Sequence, residues 1–307
     1  MPDIEAISGV AIANVESLSG KAKSAIAKFG PADIPAAGPG FKTTDLEIWW
    51  RAEDGPMNNP SLIGSGIDIE NLANTNGYAS ASIQGDHRLL NGSSSNWTTT
   101  GGVDAILLDG VNDNIITRQL YLGADPYNDP FSESLGTSNI YYNNWSTLDS
   151  YATEIWVKAF NSNGTWSSGS NIFSAYMNDG FRMRLSGNSG QITYPSVQNT
   201  SNQQGAYTPS PAVYVGSDGE WHQICFVVDD VNGTMKTYVD GSLEDTRNFN
   251  IGFDSWIRNT MVIGAYRTSG SEAKKYYVGE YRMYKSKLSD SEVLSNYNSR
   301  KTHYGIT

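Results

Sequence analysis

Cysteine, histidine and charge are all scarce in this chain of 307 residues. It has one cysteine, Cys225, and three histidines. A lone thiol excludes an intramolecular disulfide and a cysteine-based zinc site, which would need several ligands. Charged residues make up only 17%, and acids outnumber bases by 32 to 21, for a formal net charge of −11. No basic stripe is present to neutralise phosphates, so the net charge argues against a nucleic-acid or anionic-membrane surface. No apolar run reaches the ~20 residues that cross a bilayer, so membrane insertion is not expected. The first ten residues, MPDIEAISGV, lack a basic stretch followed by an apolar one, so no secretory signal is expected.

What is plentiful is Gly (31), Tyr (18) and Trp (8). That composition suits many strands joined by turns, which predicts an all-β chain large enough for one sandwich. Its organising stretch is Glu220 to Gly241. Trp221 to Asp229 places Trp221, Gln223, Cys225 and Val227 on one face and His222, Ile224, Phe226 and Val228 on the other. Apolar residues on both faces predict a strand buried between layers. Asp229 to Gly233 supplies a turn, Thr234 to Asp240 returns, and Asp240-Gly241 makes a second turn. Cys225, inside this hairpin, reads as a buried apolar thiol.

Other strands are predicted at Thr44–Arg51, through Asp104–Asn114 and on to Arg118, and at Ala152–Phe160. A hairpin of Ile172–Met177 and Gly180–Leu185 follows, then a Ser/Asn/Gln-rich loop up to Pro211. Met261–Ala265 and Tyr276–Lys285 are the last strands. Tyr121 to Asn144 reads as a long polar loop. LSDSEVLSNYNSRK, from Leu288, predicts a short helix with Ser289 as N-cap and Glu292 completing a capping box. Leu288, Val293, Leu294 and Tyr297 would form its apolar face.

The string W-H-x-x-x-x-x-x-D-x-x-x-G-x-x-x-x-Y-V-D-G, from Trp221 to Gly241, resembles the centre of laminin-G-like domains of the concanavalin A-like jelly-roll superfamily. DAILLDGVNDN at Asp104, ATEIWVKAF at Ala152 and YYVGEYRMYK at Tyr276 are similar to further family strands, in the family's order. Gly279 stands where Asp is common in the last of these. The resemblance covers roughly residues 44 to 307 and implies a jelly-roll sandwich with a short C-terminal helix across it. It is specific for fold and weak for function, because the fold hosts glycan binders, glycosidases, adhesion modules and virion parts.

Glycosidases of this fold carry two acids at E-x-D-x-E. Here Gly66 takes the nucleophile position of Gly66-Ile67-Asp68-Ile69-Glu70, and no nearby Glu replaces it. His87, His222 and His303 lie in different elements without a nucleophile motif, so no enzyme is expected. The resemblance implies a rim site for Ca²⁺, for which Asp109, Asn112 and Asp113 are candidates, as are Asp229 and Asp230; turn formation is the competing reading. Trp97, Tyr141, Tyr142, Trp145 and Trp166 lie in polar contexts suited to stacking on sugar rings, whereas Trp49, Trp156 and Trp221 read as core.

Residues 1 to 40 differ from the jelly-roll domain of residues 41 to 307. ISGVAIANVESLSGKAKSAIAKFG reads either as short β units punctuated by Ser-Gly or as an Ala-rich helix over Lys21 to Lys28. Pro31, Pro35 and Pro39 then make a stiff linker. The segment is similar to the starts of structural proteins of marine bacteriophages. That resemblance implies a docking arm, with Ile7, Val10, Ile12, Val15, Ile26 and Phe29 as its docking residues against other virion subunits. The leading expectation is a multicopy or homo-oligomeric virion protein, for decoration, stabilisation or adhesion. The alternative is a carbohydrate-binding module for host surface glycan, with Ca²⁺ at its rim.

Overall fold

The computed structural model describes residues 17–18, 21–22, 42–56, 67–69, 72, 87–90, 92–117, 150–160, 171–175, 180–186, 191–198, 203–204, 215, 218–229, 231–248, 261–264 and 275–307. In chain order its strands are β1 (Ser17–Leu18), β2 (Lys21–Ala22), β3 (Leu46–Arg51), β4 (Ile67–Ile69), β5 (His87–Leu90), β6 (Trp97–Thr100), β7 (Val103–Asp109), β8 (Asn114–Thr117) and β9 (Ser150–Ala159). They continue with β10 (Asn171–Ala175), β11 (Gly180–Ser186), β12 (Gln191–Gln198), β13 (Gln203–Gln204), β14 (Trp221–Asp229), β15 (Thr234–Val239), β16 (Ser242–Asn248), β17 (Met261–Ile263) and β18 (Lys275–Tyr284). One α-helix, α1 (Asp290–Arg300), follows.

The strands form two large sheets. The front sheet runs β16-β15-β14-β9-β18-β7-β6, and β3 also pairs with β18. The back sheet runs β13-β12-β11-β10-β17-β8-β5-β4. Between them lies the main core, where Ile155, Ile224, Phe226 and Tyr281 of the front sheet share one apolar cluster with Ile69, Leu89, Ile115 and Ile263 of the back. This is the jelly-roll sandwich that the resemblance implied.

All nine residues of β14 are buried, on both faces, as the two-sided apolar pattern predicted. The second face lies under α1, where Leu46, Trp49, Cys225, Val227 and Tyr238 pack with Leu288 and Val293. Ser289 Oγ accepts from the Glu292 amide, and Glu292 Oε2 accepts from the Ser289 amide at 2.7 Å, so the capping box forms. Leu294 departs from the expected face: it is 47% exposed, and the polar Asn296 is buried in its stead. The turn between β15 and β16 is as read, with φ of 51° at Asp240 and 77° at Gly241, which few residues but Gly, Asn and Asp adopt readily.

The sequence reading is corrected at two later strands, β12 and β16, beside β5 and β6, which lie in stretches where no strand was expected. The segment expected to be loop up to Pro211 contains β12, paired with β11, and the two-residue β13. Pro195 cannot donate to a ladder. The pairing passes from Arg182↔Ser196 to Arg184↔Thr193, so a bulge absorbs Tyr194 and Pro195. The other strand, β16, is the sheet's charged edge and carries no apolar alternation. Within residues 1–40, β1 pairs with β2, which agrees with short β units over these four residues. The rest of residues 1–40, including the expected docking residues Ile7, Val10, Ile12, Val15, Ile26 and Phe29, lies outside the described residues.

Gly279 marks a bulge in β18, where pairing shifts between Val278 and Glu280. A Cβ placed there would lie 2.6 Å from the Tyr304 ring. That ring stacks on Trp156 at 4.1 Å and tilts against Trp221 at 4.9 Å. The family's common Asp is therefore sterically excluded: the C-terminal segment uses the space.

Candidate functional site

Strand alternation sends Trp156, Lys158 and Phe160 of the β9 segment to the outer face of the front sheet, with Lys275 and Tyr277 of β18 beside them. Trp156 is covered by Tyr297 and Tyr304. Tyr277 packs against the edge of that cluster, and Lys158, Phe160, Lys275 and Tyr277 all remain partly exposed. Register places Tyr277 opposite Lys158, and by the same ladder Lys275 opposite Phe160. The result is a two-by-two block in which each ammonium faces an aromatic ring across the ladder. Phe160 and Tyr277 have ring centroids 5.7 Å apart, and Lys275 Nζ sits 3.6 Å over the Phe160 ring. Leu107 and Asp109 of β7 border the block, opposite Tyr277 and Lys275. None of these four residues stood out in the sequence, because only the register and the C-terminal cover reveal that they share an open face.

A cleft of about 680 Å³ lies elsewhere, between the β14–β15 turn and the start of α1. Its two lysines are engaged internally: Lys236 Nζ is 2.6 Å from Asp290 and Lys287 Nζ is 2.6 Å from Asp229. In the block, among the described residues, neither Lys158 nor Lys275 makes an ion pair.

The predicted site residues fall in several places. Tyr141, Tyr142, Trp145, Trp166 and Asp230 lie outside the described residues. Trp97 is not a loop platform; it lies in β6, opposite Ile106, and packs against the main core. Asp109 and Asp113 build a turn. Asp109 Oδ1 accepts from the amides of Val111 at 2.7 Å, Asn112 at 3.3 Å and Asp113 at 3.4 Å. Asp113 is buried and accepts from Asn96 Nδ2 at 2.6 Å and from the Asp109 amide at 3.2 Å. Burial raises its pKa, against the Asn96 hydrogen bond. Asn112 is exposed and gives its amide to this turn. Among the described residues no three His, Cys, Asp or Glu side chains converge as a metal site would require. Asp229 is occupied by Lys287 and by Asn232.

His222 is a fastener. Its Nδ1 lies 2.7 Å from Asp240 and its Nε2 3.1 Å from Asp218, while Asp240 Oδ1 accepts from the Gln223 amide. Burial alone would lower its pKa, but the two aspartates raise it. This explains why Trp-His and Val-Asp-Gly occur at the two ends of one hairpin: the imidazole ties the second turn to the start of β14.

Beneath α1 the front sheet carries a buried polar network. Glu154 accepts from Asn296 Nδ2 at 3.0 Å at both oxygens and from Gln223 at 3.3 Å. Arg282 lies between Glu154, 3.5 Å away, and Glu280, to which its Nε donates at 2.8 Å. Glu280 also accepts from Trp49 and from Arg300, whose guanidinium continues to Glu53 and, through it, to Arg51. The same Asn296 accepts from the Lys42 amide at 3.1 Å, so the chain enters the domain against α1.

The family profile described as the concanavalin A-like lectin/glucanases superfamily matches residues 133–294, more than half of the chain. No curated protein matches. Among solved structures, the chain is similar to the receptor binding domain of botulinum neurotoxin C/D mosaic serotype, at 14% identity and a TM-score of 0.54, covering 86% of this chain and 55% of that one. It is also similar to the botulinum neurotoxin serotype D ligand binding domain in complex with N-acetylneuraminic acid, at 14% identity and a TM-score of 0.52, covering 86% and 54%. The chain thus spans about half the length of these structures, and the likeness is one of fold.

Proposed function

The chain belongs to the concanavalin A-like lectin/glucanases superfamily, and on that premise we propose that it is a non-enzymatic binding module that holds saccharide on the outer face of its front sheet. The block of Lys158, Phe160, Lys275 and Tyr277 carries this reading. Sugar recognition needs an aromatic ring for the C–H face beside polar groups for the hydroxyls, on a surface held still before the ligand arrives. Tyr277 supplies the ring, the ammoniums are donors, and two paired strands fix their spacing. Gly66 at the nucleophile position of the family's acid motif supports binding without hydrolysis. A glycan microarray tests the proposal: the full chain is expected to bind a defined subset, and Tyr277→Ala to lose at least tenfold in signal. Equal binding by that variant would remove the block from the reading, and silence across the array would remove the reading itself.

A second reading is a virion protein in which residues 1–40 dock on neighbouring subunits and the sandwich projects outward. The entry of the chain favours it. Lys42 is fixed to α1 by its amide and by a 3.0 Å ion pair with Glu292, so an arm would leave the domain from a defined point. Deletion of residues 1–40 is expected to abolish incorporation into particles while leaving the sandwich folded. Unchanged incorporation would end this reading.

A further inference from the structure

We propose that the outer-face block selects anionic sugars: one pyranose ring rests on Tyr277, and its carboxylate or sulfate is met by Lys158 and Lys275. This rests on the saccharide reading above and adds the ligand's charge. The protein as a whole is strongly acidic, at −11. Its described lysines and arginines at structural positions are mostly matched to carboxylates, as Lys42, Lys236, Lys287, Arg51, Arg282 and Arg300 are. In the block two ammoniums share one sheet face and, among the described residues, neither has an acid partner.

The nearest acid by register is Asp109, opposite Lys275. Its Oδ1 is turned to three backbone amides of its own loop. Phe160 holds Lys275 in place through the 3.6 Å contact of the ammonium with its ring. That contact keeps the charge on the sheet face and reduces the side-chain entropy lost when an anion binds. Lys158 flanks Tyr277 from the neighbouring strand.

Size sets the rest. Adjacent strands are ~4.8 Å apart and same-face residues along a strand ~6.8 Å apart, so the block covers about one pyranose ring. A contact of that size gives a dissociation constant on the order of 1 mM for a single unit. Useful retention then requires many units on one polymer or many copies of the protein on one particle.

The test uses the full chain and two matched pairs of polymers. Oligogalacturonate is compared with its methyl ester, which keeps the ring and removes the charge, and dextran sulfate with plain dextran. Retention is expected on one or both charged polymers, at least tenfold above the uncharged partner. Lys158→Gln and Lys275→Gln are each expected to weaken it about fivefold, with thermal unfolding unchanged for Lys158→Gln and only slightly lowered for Lys275→Gln, which gives up its ring contact. Equal retention on charged and uncharged forms would overturn the selection for anions and leave the saccharide reading in place. Charge-selective retention that both lysine variants preserve would place the site elsewhere. No retention on any of the four polymers overturns this proposal, whereas the microarray decides the saccharide reading separately.

Discussion

Replacing Arg282 with Met is expected to cost about 3–5 kcal/mol of folding stability, the range seen when one partner of a buried ion pair is removed. Arg282 is 2% exposed and lies between two carboxylates that are equally buried. Without it Glu280 keeps Trp49 and Arg300, but Glu154 loses its nearest positive charge. The loss lies between the front sheet and α1, where Glu154 would have to take up a proton to stay buried, so the helix and the C-terminal segment should loosen first. Arg282→Lys retains the charge but not the planar fork, and should recover only part of the loss. Urea unfolding of the three proteins reads this directly. A Met variant within about 1 kcal/mol of the parent would show that the network does not hold the helix to the sheet.

The second large effect is a fall in stability as pH rises. Burial pushes the Glu154 carboxyl up to about 7, against Arg282 and Asn296, which favour its charged form. A group whose pKa is higher folded than unfolded binds its proton more tightly in the folded state. Its contribution is complete below the ordinary glutamate value and is lost as pH rises through about 7. A rise from 4.5 to about 7 corresponds to about 3 kcal/mol lost across that window. Glu280 has the opposite sign. Burial would raise it, but Arg282, Arg300, Arg51 and the Trp49 indole outweigh burial and hold it at about 2, so its contribution is lost only as pH falls below the ordinary range. Stability should therefore peak near pH 4.5–5. Glu154→Gln is expected to remove most of the decline towards pH 8. A smaller decline of the same sign should persist, because His222 is also raised by its aspartates. An identical pH profile in the variant, or stability rising from pH 5 to 8, would contradict the assignment to Glu154.

Much of the frame was legible because the residues that build it are repetitive in a physically simple way. Apolar residues on both faces of Trp221–Asp229 could only mean a strand covered on two sides, and every one of its residues is buried. Asp240-Gly241 and Ser289 with Glu292 are local devices, so they read the same in sequence and in space. The miss at β12 has a local cause as well: a stretch rich in Ser, Asn and Gln reads as loop until its pairing, with a bulge at Tyr194 and Pro195, is known. At α1 the apolar pattern pointed to Leu294, yet Asn296 is the buried residue because its partner is a buried carboxylate from β9. No periodicity reports such a partner.

The site was less legible for the same reason. Aromatics in polar surroundings drew the reading to Trp97, which the fold turns inward. Lys158 and Tyr277 belong to stretches that were read correctly as strands, but which outward residues stay open depends on how far Tyr297 and Tyr304 reach across the sheet. Nor could the sequence show that Asp109 and Asp113 satisfy backbone and Asn96 donors in building their turn.

The most direct measurement is a crystal structure of the full chain soaked with oligogalacturonate. The account requires a sugar ring on Tyr277 with its carboxylate within hydrogen-bonding reach of Lys158 Nζ or Lys275 Nζ. Sugar bound instead at the cleft between the β14–β15 turn and α1, or at Trp145 or Trp166, with the outer face bare, would contradict it.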